Sequence, residues 1–137
     1  MCNSGASRAN RHTLSAVETP PRLLFVDDDA AILRMIERLM RLHDVRWDIT
    51  LAHGGPRALE LLNDGDYAAV ITDIDMPQVD GFRVLEAAAR VCPNATRIVL
   101  TASPVDTSGC KADLVLSKLE IGDLPVVLER ALLLLSS

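Results

Sequence analysis

The sequence predicts an α/β fold, one parallel sheet with helices on both faces, and three observations carry that prediction. Short unbroken apolar runs recur at Leu23–Val26, Ala69–Ile71, Ile98–Leu100 and Leu114–Leu116. The segments between most of them have helical rather than strand period. The runs also tend to end on a polar side chain. Runs of Leu, Ile and Val without alternation suit strands buried on both faces, which is how parallel sheets read. Regular alternation of strands with helices implies right-handed crossovers, since a parallel pair cannot be closed by a hairpin. Open sheets of this class bind ligands at the carboxyl ends of their strands, so the polar residues ending these runs are site candidates.

Residues 1–21 are rich in Ser, Asn, Thr, Ala and Arg, lack periodicity and finish in Pro20-Pro21, so they read as a tail or arm. Residues 22–137 read as the folded domain. The first strand, Leu23 to Val26, runs into the triplet Asp27-Asp28-Asp29. Ile32, Met35, Ile36, Leu39 and Met40 then share a helical face opposite Arg34, Glu37, Arg38 and Arg41, predicting a helix to about Leu42 with Met35 and Met40 in the core. Trp47 to Ala52 alternates loosely and reads as the second strand. Gly54-Gly55-Pro56 opens a helix, since proline suits the first turn, and Asp64-Gly65 closes it.

The central strand is Ala69-Val70-Ile71-Thr72. It stops at Asp73, and Pro77 forbids its extension as a ladder strand. Asp80 is a candidate N-cap for a helix carrying Phe82, Leu85, Ala88 and Ala89, which stops before Pro93. The fourth strand ends on Thr101, the fifth on Ser117-Lys118, and Leu124 to Leu135 forms a last helix. Twelve residues, Ala102 to Asp113, join strands four and five and include Pro104 and Gly109. A parallel crossover needs about a dozen residues at minimum, so the helix expected there is a turn or two, or absent.

The chain has 137 residues, 49% of them hydrophobic, a normal length and composition for one domain with a Leu, Val, Ile and Ala core. A net charge of -5 and the lack of a Lys/Arg cluster among aromatics argue against direct nucleic-acid binding. Cys2, Cys92 and Cys110 have no metal-ligand spacing and read as free thiols of a reducing cytoplasm. No secretory leader or membrane-length apolar run is seen, so no membrane partner is expected. Phosphate-loop fingerprints are absent, and so is any case for a nucleotide pocket.

The acidic pair Asp27-Asp28, the context Asp73-Ile74-Asp75-Met76-Pro77 with Asp80-Gly81, the pair Thr101-Ala102, and Lys118 together resemble the receiver domain of a two-component response regulator, here a stand-alone one. The resemblance covers about Arg22 to Leu135. It implies a flavodoxin-like doubly wound sheet of order 2-1-3-4-5, with strands one and three side by side at the switch point. It further implies that Asp73 accepts a phosphoryl group from a histidine kinase or histidine phosphotransfer protein. The only chemistry expected is then Mg²⁺-dependent self-phosphorylation and autodephosphorylation.

The residues suit that chemistry. Crowded carboxylates repel one another and raise at least one pKa unless a hard cation joins them, and an all-oxygen donor set suits Mg²⁺. The resemblance implies Asp28 and Asp73 as direct ligands, Asp27 acting mostly through water, and the backbone carbonyl of Asp75 as a further ligand. The Thr101 hydroxyl and Lys118 ammonium would hold the remaining phosphoryl oxygens. Asp75 and Ser103, each two places beyond a site residue, would tune hydrolysis.

Two departures from the family concern output. Leu119 stands where the family usually has a cis proline after its lysine, and a cis non-proline bond costs about 2.5–4 kcal/mol, so Lys118 is expected to be less firmly placed. Val115 occupies the usual aromatic switch position. These departures, with the short crossover, keep open a degenerate receiver acting as a constitutive interaction or dimerisation module. A haloacid-dehalogenase-type phosphatase would also use an Asp-x-Asp, but that family places it on the first strand. The sequence ends at Ser137 without an output domain, so signalling through a downstream protein partner is expected. With the crossover helix short, Ile98, Leu100 or Val115 should be partly uncovered. With Leu132-Leu133-Leu134-Leu135 apolar all round, this predicts a homodimer through the strand-five and last-helix edge.

Overall fold

A computed structural model describes residues 20–43, 46–102, 106 and 108–135. The elements are β1 (Arg22–Asp27), α1 (Ala30–Leu42), β2 (Asp48–His53), α2 (Gly55–Asp64), β3 (Ala69–Thr72), α3 (Gly81–Val91), β4 (Thr96–Thr101), β5 (Leu114–Ser117), a 3-10 helix (Lys118–Asp123) and α4 (Leu124–Leu135). The five strands are all parallel in the order β2-β1-β3-β4-β5, as expected for a flavodoxin-like sheet. The register sets Val26 beside Thr72 and Asp27 beside His53, so the acidic end of β1 lies between the ends of its two neighbours.

Strand alternation divides the core. Leu23, Phe25, Ala69, Ile71, Ile98 and Leu100 face α1 and α4, meeting Leu33, Ile36, Met40, Leu124 and Leu128. Leu24, Val26 and Val70 point the other way, onto Ala58 and Leu62 of α2 and Val84, Ala87 and Ala88 of α3. Each fully buried aliphatic side chain contributes about 1.5–3 kcal/mol, so both layers are needed to hold the sheet. Asp29 caps α1, its Oδ1 accepting the Ala31 N–H at 2.9 Å, and Asp80 caps α3 by accepting the Arg83 N–H at 3.1 Å, as its position before Gly81 suggested.

Two expectations need correction. Met35 is 45% exposed, and Leu33 takes its place in the core because the buried stripe of α1 is rotated from the one expected. Ile98 and Leu100 are buried, because α4 packs on the same face as α1 and covers them with Leu124 and Leu128. Only Val115, on the opposite face and 45% exposed, is uncovered as expected. The last helix runs from Leu124 to Leu135 as expected, and a 3-10 turn at Lys118–Asp123, which the apolar pattern did not announce, precedes it.

Among the described residues of the β4–β5 crossover none is helical, in line with its length. Its returning end is tied to β4: the Arg97 Nε donates to the Lys111 carbonyl at 2.6 Å and the Arg97 N–H donates to Asp113 Oδ2 at 2.8 Å. Cys110 and Ala112 then pack with Phe82 against Ile74, Leu85 and Val99, covering the part of the sheet a crossover helix would cover. No helix among the described residues is long and apolar enough to cross a membrane.

Candidate functional site

At the carboxyl edge the triplet after β1 divides its labour. Asp27 is 2% exposed and its Oδ1 accepts the Asp29 N–H at 2.9 Å. Asp28 is exposed, and Asp29 is spent on the α1 cap. One strand over, the Asp73 N–H donates to the Val26 carbonyl at 3.0 Å, which continues the β1–β3 ladder by one bond beyond the strand. The Asp73 Oδ1 accepts the Ile74 N–H at 2.8 Å, leaving Oδ2 turned to the charged cluster.

The loop after β3 is stapled to one carbonyl, since the Met76 N–H and the Gly81 N–H both donate to Ile74 O, at 3.1 and 2.9 Å. Residue 81 has to be glycine: a Cβ there would lie 2.7 Å from Ile74 Cα and 2.8 Å from the Asp73 carbonyl carbon. The backbone of Asp73 is therefore pressed against the first turn of α3. Asp75 lies in this loop and is exposed.

Lys118 reaches in from the end of β5, with its Nζ 2.6 Å from Asp27 Oδ2 and 3.1 Å from Asp73 Oδ2. Peptide bonds among the described residues are all trans, yet the lysine is held, contrary to the expectation drawn from Leu119. The 3-10 turn supplies the placement: Ser117 caps it, its Oγ accepting the Leu119 N–H at 3.0 Å, and so turns Lys118 back over the sheet. Thr101 ends β4, 9% exposed and paired in register with Ser117, at the same edge. Ser103 lies outside the described residues.

Burial pushes the Asp27 carboxyl above its ordinary value, while hydrogen bonds from Lys118 and the Asp29 amide pull the other way. Burial would lower the Lys118 ammonium, but its bonds to Asp27 and Asp73 and their charge outweigh that and raise it. Asp27, Asp28 and Asp73 each present a carboxylate oxygen, all within 4.8 Å of one another. An oxygen-only cluster of this charge fits a hard divalent cation and offers nothing to a soft one.

Sequence reasoning missed His53. Its Nε2 lies 2.9 Å from the Asp28 carbonyl oxygen, across a separation that only the β1–β2 register brings together. A histidine ending the strand next to the acidic one was the available signal. His43 is the C-cap residue of α1 and also meets Glu129 of α4 at 3.1 Å.

A 2-1-3-4-5 sheet gathering three aspartates and a lysine at its carboxyl edge is the architecture of receiver-type α/β proteins. The model of the response regulator receiver domain matches residues 23–117, and the chain belongs to that family, the receiver domains of two-component systems. Among curated proteins it is 38% identical over 79 residues to the two-component response regulator ARR12 of Arabidopsis thaliana, covering 56% of this chain and 13% of that protein. With the transcriptional regulatory protein PrrA of Mycobacterium tuberculosis it shares 36% identity over 89 residues, 64% of this chain and 37% of PrrA. The chain thus spans well under half the length of these relatives.

Among solved structures, a receiver domain protein of Methanospirillum hungatei JF-1 matches with TM-score 0.77 at 22% identity, over 85% of this chain and 97% of that one. The response regulator TrrA of Thermotoga maritima, solved in complex with Mg(2+)-BeF, matches with TM-score 0.70 at 28% identity, over 80% of this chain and 97% of TrrA.

Proposed function

We propose that residues 22–137 form a phosphoacceptor receiver, with residues 1–21 as an arm, that takes a phosphoryl group onto Asp73 from a histidine kinase or histidine phosphotransfer protein in the cytoplasm. The observation that carries this reading is the position of Lys118, whose ammonium bridges Asp27 and Asp73 beside a cluster of three carboxylates. Asp27, Asp28, Asp73 and the Asp75 carbonyl would hold Mg²⁺. Bound there, the ion supplies charge neutralisation at the phosphoryl oxygens.

The chain's own residues do the rest. Asp73 Oδ2 is the nucleophile, and the Ile74 N–H on Oδ1 fixes which oxygen attacks. As the P–N bond to the donor histidine breaks and a P–O bond to Asp73 forms, the Lys118 ammonium moves from the carboxylate to a phosphoryl oxygen. The Thr101 hydroxyl donates to another. The leaving imidazole carries its electron pair away with the donor protein. Signal then passes by protein contacts, to a downstream partner and within a homodimer through the β5–α4 edge, where Val115, Leu119, Val126, Leu133 and Leu134 are exposed.

The test is incubation with Mg²⁺ and acetyl phosphate. A mass increase of one phosphoryl group is expected, and it should vanish in Asp73→Asn. A shift persisting in that variant excludes Asp73 as the acceptor. The exposure of Val115 and Leu119 also suits a degenerate receiver acting as a constitutive interaction module, and an unlabelled native chain would favour that reading.

A further inference from the structure

We propose that His53 is a positioning residue for the cation site, holding the Asp27–Asp29 loop so that Asp28 faces the site; this deepens the Mg²⁺ reading above and rests on it. Three adjacent carboxylates repel one another, and a loop carrying them opens unless its backbone is fastened. Every carbonyl of the triplet has a partner. The Asp27 carbonyl accepts the Gly54 N–H at 2.9 Å, and the Asp29 carbonyl accepts the Leu33 N–H at 3.2 Å as α1 begins. The Asp28 carbonyl is the one not held by main chain in this way: it faces His53 Nε2 at 2.9 Å. Opposite a carbonyl oxygen that nitrogen must carry the hydrogen, so the ring donates.

Two consecutive residues at the end of β2, His53 and Gly54, therefore clamp two consecutive carbonyls at the end of β1. Gly54 makes its bond at φ 101°, a left-handed conformation that glycine adopts without strain. The consequence reaches the side chains. With the Asp28 carbonyl fixed outward to β2, its Cα–Cβ bond is fixed too, and its carboxylate oxygen stays within 4.8 Å of those of Asp27 and Asp73. His53 touches neither the cation's place nor the acceptor, so its effect is on affinity and loop order, not on the transfer itself.

Outer partners that orient metal ligands are commonly worth about 10–100-fold in affinity, and an exposed bond such as this belongs at the low end, about 10-fold. The experiment has two arms on the full chain. Mg²⁺ titration by calorimetry should show His53→Ala binding about 10-fold more weakly, and His53→Gln, which keeps a terminal N–H, largely restored. In metal-free protein, amide hydrogen exchange at Asp29 and Ala31 should be faster in His53→Ala than in the native chain, with α3 and β4 unchanged. Equal affinity of His53→Ala and native chain, or unchanged exchange at those amides, overturns the proposal. A native chain that binds no Mg²⁺ overturns the cation reading instead, and exchange alone then decides whether His53 fastens the loop.

Discussion

Replacing Gly81 by alanine tests whether the position of Asp73 depends on the close approach of α3. The added methyl would lie 2.7 Å from Ile74 Cα and 2.8 Å from the Asp73 carbonyl carbon, whereas non-bonded carbons settle at about 3.5–4.0 Å. Something must therefore move by about 1 Å. Helix α3 cannot retreat freely, because Val84, Leu85, Ala87 and Ala88 are buried against the sheet. The loop must yield, and with it the carbonyl that the Thr72 hydroxyl holds at 2.8 Å. Overpacking of this kind costs about 1–3 kcal/mol, which for a domain of this size lowers the melting temperature by about 4–12 °C. Misplacing a reacting group by about 1 Å can slow its reaction by about 100-fold. Thermal unfolding and the rate of acetyl-phosphate labelling, followed by mass, report the two effects. Gly122→Ala, where an added methyl meets nothing within 4 Å, serves as the neutral control. A Gly81→Ala protein that melts and labels like the Gly122→Ala control would refute the reasoning.

Two further outcomes are expected. The Asp27 carboxyl is held above its ordinary 3.8 by burial, so the stability it contributes is complete below pH 3.8 and is lost as pH rises through the higher folded-state value. Without divalent cations, Asp27→Asn should accordingly gain on the native chain across that window, read as urea midpoints against pH; a constant difference would count against it. The β5–α4 edge should associate, since buried apolar area contributes about 25 cal/mol per Å². Sedimentation over a wide concentration range should show a dimer that Leu133→Asp disperses, whereas a monomer throughout, unchanged by that substitution or by removal of residues 1–21, excludes the pairing.

The sheet was legible because four of its five strands carry continuous apolar runs, and Asp73 because such a run stops on it before Pro77. Periodicity reports that a helix has a buried stripe but not its rotation to within a residue. Ile32, Met35, Ile36, Leu39 and Met40 fit a stripe as well as the buried Leu33, Ile36 and Met40 do, and only the neighbours choose between them. Ile98 and Leu100 were misjudged for a related reason: spacing predicts a final helix without saying which face it covers. Lys118 was expected to be loose on the strength of a missing proline, but the compensating bond comes from Ser117, an ordinary residue until the 3-10 turn is seen. The contribution of His53 depends on strand register, which pairs residues 26 apart in the chain and leaves no local trace.

The edge strand gives the site a dependence on local opening. β5 has only four residues, none fully buried, and the crossover leading into it contributes no helix among its described residues. Strand edges with few buried contacts are the parts of a domain that open most readily, without global unfolding. Each such opening withdraws the Lys118 ammonium from Asp27 and Asp73 and leaves two carboxylates facing each other uncompensated. Fraying of the sheet and loss of the charge partner of Asp73 are thus one event. A group on Asp73 that binds the ammonium more tightly than a carboxylate does would close the strand and slow its exchange with solvent, so that occupancy at the centre is reported at the rim as rigidity rather than as movement.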